Sequence, residues 1–148
     1  MRTLQTAAVL PQAQKAGIRW KRVIVAAIGS ELAVIIVISM IMVTHMVLTP
    51  GRPQEEYSEF GQNAGYYAAA PAATLAVFLM AFWAIRKLDS AFIINGLLVG
   101  IIATLLTLGF IVGARPGDRW MYIASFALRI AAGYAAGLVV QRMKGQPQ

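Results

Sequence analysis

From Val23 to Val43 the chain runs apolar, and the only charge in that run is Glu31. Three more apolar blocks follow, separated by polar or basic stretches. A helix that crosses a bilayer needs about 20 mostly apolar residues. Segments 23–48, 65–85, 90–114 and 120–140 meet that length. The pattern therefore predicts an all-α polytopic membrane protein with four transmembrane helices. Residues 1–22 form an N-terminal tail, 23–142 the four-helix transmembrane domain and 143–148 a C-terminal tail. The segment between the first two spans, 49–63, reads as a polar outer loop.

Small residues mark where helices meet in lipid, because close packing replaces the hydrophobic drive there. The third span carries Gly96 and Gly100, then Gly109 and Gly113, each pair spaced by four. The fourth carries Gly133 and Gly137 at the same spacing. These glycines are the expected helix-packing faces, within the bundle or towards a partner or second copy. Pro71 falls near the outer end of the second span, where the first turn of a helix tolerates proline; in a helix that starts earlier it makes a kink instead. YYAAAPAATLAVFLMAFWAIRK and YIASFALRIAAGYAAGLVVQRMK both open on tyrosine and end basic. They suggest a weak repeat of two hairpins about an axis along the membrane normal.

Composition agrees with the pattern. The chain has 148 residues, 59% of them hydrophobic, with mean hydropathy +0.66 and only 13% charged. A soluble domain of this size carries about 25% charged residues. The net charge is +7, but the cations flank the apolar runs and form no stripe with interleaved aromatics. They point to orientation in a bilayer, with no nucleic-acid partner. Arg2, Lys15, Arg19, Lys21, Arg22, Arg86, Lys87, Arg142 and Lys144 fall on one side; Arg52, Arg115 and Arg119 fall on the other. Both termini are therefore expected in the cytoplasm. Trp20 and Trp83 near the inner boundary, and Tyr57, Tyr66, Tyr67, Trp120 and Tyr122 near the outer one, fit that frame. The first apolar run exceeds the roughly 7–15 residues of a signal peptide and lacks an A-x-A-like site, so it reads as a retained helix.

The chemistry concentrates in two intramembrane charges, Glu31 and Arg129. Glu31 lies nine residues past Arg22, about 13 Å above the inner boundary at a helical rise. Arg129 lies twelve residues before Gln141, about 18 Å above it. The difference is within reach of two long side chains. Arg129 shares a face with Gly133 and Gly137. With Asn95 entering the third span, Glu31, Asn95 and Arg129 form the expected intramembrane polar cluster. One reading makes the pair structural, fixing helix register. The other is proton or cation handling, since charges within spans are functional candidates.

The acidic residue in the first span, within AIGSELAVI, resembles the membrane-embedded glutamate of small multidrug-resistance transporters. That resemblance implies a proton-linked transporter using Glu31, and the long outer loop and Arg129 depart from its pattern. The basic turn followed by NGLLVGIIATLL, with that same glutamate, resembles small, uncharacterised four-helix bacterial membrane proteins. This second likeness implies a layout and a bacterial inner-membrane location, and no activity.

His45 lies near the outer end and has no second ligand at metal spacing, so no metal is expected. Glu55, Glu56 and Glu59 read as a solvated acidic patch. The chain has no cysteine, which excludes disulfides and thiol chemistry. No phosphate-binding loop, dinucleotide fingerprint, zinc-protease or serine-hydrolase motif occurs. The expectation is a non-enzymatic accessory or structural subunit of a membrane complex, without cofactor, with a small transporter as the alternative.

Overall fold

The computed structural model describes residues 17–113 and 119–145. Expectations for the tail up to residue 16, the turn at 114–118 and residues 146–148 lie outside the described residues.

α1 spans Trp20–Leu48, α2 Gln54–Ile85, α3 Phe92–Thr107, α4 Gly109–Gly113 and α5 Arg119–Met143. α1, α2 and α5 are each long and apolar enough to cross a membrane. α3 has 16 residues, fewer than the roughly 20 a crossing needs, and α4 follows it after a break at Leu108.

α1 runs antiparallel to α2, because Gly29 meets Met80 near one end and His45 meets Phe60 near the other. α3 and α5 are also antiparallel: Gly100 lies on Arg129 and Ile130, and Gly137 on Phe92 and Ile93. α3 packs most heavily on α5, and α1 on α2. α2 also packs on α5, and α3 on α1. Among the described residues the backbones of α1 and α5 make no contact, so these helices sit diagonally across the bundle. The start of α1, the turn at 86–91 and the end of α5 lie together and gather the cations. This is the basic end.

The core is made of small side chains. Val23, Ala26, Ala27, Ser30 and Val34 form the inward stripe of α1, at the three- and four-residue spacing of one helix face. Ala73, Val77, Ala81, Ala84 and Ile85 are the matching stripe of α2. Beyond Val34 no residue of α1 is buried, and Ile35, Met40 and Val47 are exposed by 60%, 64% and 71%. A face this apolar is stable only against hydrocarbon or another protein.

Gly96, Gly100, Gly133 and Gly137 form the seam between α3 and α5. A Cβ on Gly96 would run into the Gly133 carbonyl, and one on Gly133 into the Gly96 carbonyl. On Gly100 it would stand 2.6 Å from the Arg129 carbonyl, and on Gly137 2.6 Å from the Ile93 Cα. These obstacles are backbone, so they cannot swing aside. Gly109 is different, with nothing within 4 Å of its Cβ direction. It takes no part in the seam. The surroundings of Gly113 lie outside what is described.

Two predicted boundaries move. Residues 54–63 are helical rather than loop, and only 49–53 join α1 to α2. Pro53 pre-sets the entry, and Glu55 and Glu56 occupy the first turn, where the helix dipole favours anions. Arg52 pairs with Glu56 at 2.8 Å, and His45 stacks on Phe60 with ring centres 3.6 Å apart. Pro71 therefore lies inside α2 and not in its first turn. The predicted third span is the other change, starting at Phe92 and breaking at Leu108.

Gly133→Ala should lower stability by about 1–3 kcal/mol, the usual cost of overpacking. Gly109→Ala should be neutral or gain up to about 1 kcal/mol, since a helical glycine is replaced in open space. Melting of both variants in detergent checks the contrast.

Candidate functional site

Arg129 projects from the glycine face of α5, one turn from Gly133. Its Nη1 donates to Glu31 Oε1 at 2.8 Å and to Thr107 Oγ1 at 2.7 Å, with the Ala103 carbonyl at 3.4 Å. The arginine side chain is 7% exposed and the glutamate 16%. Both charges are thus largely out of solvent, where an unpaired ion costs several kcal/mol. The pair is also the contact that joins the diagonal helices α1 and α5.

Thr107 completes the site. Its hydroxyl accepts from Arg129 and lies 3.1 Å from the Ala103 carbonyl and 3.2 Å from the Thr104 carbonyl. In a regular helix the Leu108 amide would bond the Thr104 carbonyl. Here it bonds Leu105 instead, at 3.3 Å. Side-chain bonding of this kind competes with the backbone ladder and bends helices. The break between α3 and α4 and the seat of Arg129 therefore share one residue. Two buried polar atoms, Arg129 Nε and Thr104 Oγ1, have no hydrogen-bond partner among the described residues.

Asn95 is not part of this group. Its Oδ1 accepts from the Arg19 amide at 2.8 Å, and its Nδ2 donates to the Ala91 carbonyl at 2.8 Å. It fastens the start of α1 to the start of α3, twelve residues below Thr107, or about 18 Å along the helix. Residues 86–91 form a turn and contribute no helical rise, which leaves Asn95 near the basic end, away from Glu31 and Arg129. Ala91, which closes that turn, holds φ 58. This left-handed conformation costs an L-residue about 1–2 kcal/mol. The Asn95 amide and side chain both bond its carbonyl and hold it there.

Sequence reasoning found Glu31 and Arg129 through depth and face but missed Thr107. A hydroxyl on the third apolar segment, level with the two charges, was the available signal.

No protein family matches the chain, and no curated protein or solved structure matches it. The site is therefore read on its geometry alone.

Thr107→Val keeps the side-chain shape and removes the acceptor. It should cost about 1–3 kcal/mol, the penalty for a buried donor left short of partners, while Thr44→Val on the exposed side of α1 should change nothing. Thermal unfolding in detergent measures both.

Proposed function

We propose that the protein is a small membrane-embedded accessory subunit in which Glu31 and Arg129 act as a structural lock. The supporting observation is that one nitrogen, Arg129 Nη1, serves both Glu31 and Thr107. The carboxylate has its cation inside the chain, on a side chain itself anchored in α3. This leaves Glu31 poorly placed to take a cationic substrate. α3 and α4 together serve as the fourth crossing segment, and both ends face the cytoplasm, on the side where cations concentrate. The four seam glycines are occupied between α3 and α5, so a partner would meet the chain on the apolar face of α1. This reading assigns the protein no catalytic step.

A double-mutant cycle tests the lock. Glu31→Gln and Arg129→Gln should each lose about 3–5 kcal/mol, since each leaves a buried charge unpaired. The double variant should recover much of that loss. Melting of detergent-extracted protein gives the coupling. The same variants, reconstituted in vesicles with an imposed pH gradient, address transport. Proton flux that disappears in Glu31→Gln, with stability unchanged, would replace the lock with a proton-linked transporter.

A further inference from the structure

At the basic end, the start of α1 and the turn between α2 and α3 enclose a cleft of about 240 Å³. Arg19, Arg22, Lys87 and Ser90 line it, with Asp89 as the one carboxylate. Leu88 forms its apolar floor and is buried. The walls are fixed. The Arg19 amide is tied to Asn95, and the Leu88 carbonyl accepts from Lys144 Nζ, which also lies 5.4 Å from the Phe92 ring centre. The three cationic side chains are exposed, so their charge is available.

The geometry points to this cleft as a binding site for the phosphodiester headgroup of an anionic phospholipid. Three cations against one carboxylate select an anion, and arginine forks match phosphate oxygens. The surroundings favour a lipid over a free phosphate. Trp20 is 53% exposed beside Arg19, and Trp83 is 49% exposed on α2, within one turn of its basic end. Indole rings settle at headgroup level. Directly beyond Arg22, Ile24, Val25 and Ile28 present an exposed apolar surface, along which acyl chains would lie. Basic pockets between spanning helices hold lipid headgroups by this combination. The site is independent of Glu31 and Arg129, so it stands or falls separately from the lock.

The test reads Trp20 alone, in a chain carrying Trp83→Phe and Trp120→Phe. That chain is placed in phosphatidylcholine vesicles containing brominated phosphatidylglycerol, with brominated phosphatidylcholine as the comparison. Trp20 should be quenched at a several-fold lower fraction of the anionic lipid. Adding Arg19→Gln, Arg22→Gln and Lys87→Gln should abolish most of that preference, given the attraction of each cation near the surface. Arg52→Gln with Arg119→Gln should leave it intact. In the chain without the glutamines, raising salt from about 0.15 M to about 1 M shortens the screening length from about 8 to about 3 Å and should reduce the preference. Equal quenching by both lipids, or a preference indifferent to salt and to the three glutamines, overturns the proposal. Loss of the preference on adding inorganic phosphate, at an ionic strength matched with chloride, overturns the lipid assignment in favour of a soluble phosphate.

Discussion

The backbones of α3 and α5 touch, and most of the molecule follows from that contact. Gly96 and Gly133 face each other so closely that neither has room for a Cβ. With the seam closed there, the Arg129 carbonyl sits over Gly100, and its side chain projects further up α3 towards Ala103 and Thr107. The register is not adjustable. Sliding α5 by one residue would turn the glycines away and drive a side chain into the opposing backbone. The seam thus delivers a guanidinium to one fixed height in the bundle, and Glu31 on the opposite diagonal lies within its reach.

That placement also accounts for the irregularity in α3. A threonine at a helix end is ordinarily free to bond its own backbone. Thr107 does so, and its lone pairs also receive Arg129. The displaced Leu108 amide closes on Leu105 in a tighter turn, and α4 restarts at Gly109. The break, the arginine and the seam form one mechanical unit. α1 is attached to it differently. Its fully buried residues end at Val34, and further up Met42 and His45 meet Gly61 and Phe60 of α2.

Hydropathy located the helices well where lipid is the expected solvent, and poorly where it is not. Residues 54–63 are polar, so the apolar pattern treats them as loop. Their helicity comes from Pro53, the acidic first turn and the packing of Phe60 on His45. None of these raises hydropathy. The Leu108 break was also invisible, since neither proline nor charge marks it and it coincides with hydrogen bonds of Thr107 that hydropathy does not register. The ion pair was legible because a charge in an apolar run demands a partner, and height and face narrow the choice. Asn95 makes no such demand. An amide can satisfy itself on nearby backbone, and here it bonds Ala91 and Arg19.

Why a charge pair should hold α1, when apolar packing is cheaper, follows from what α1 faces. Its inward stripe is alanine, serine and valine, and a stripe of small side chains slides easily against others like it. Lipid does not oppose such sliding, since hydrocarbon is as good a neighbour as another helix. A glutamate whose cation waits at one height does oppose it. Shifting α1 by a turn moves Glu31 about 5.4 Å, beyond the 2.8 Å contact, and leaves two charges stranded in apolar surroundings. On the proposed lock reading, the pair acts chiefly by penalising other registers, a role documented for some buried ionic groups. The same reasoning explains why it joins helices whose backbones, among the described residues, do not meet. Across the diagonal, a long side chain and a charge reach where backbone packing does not.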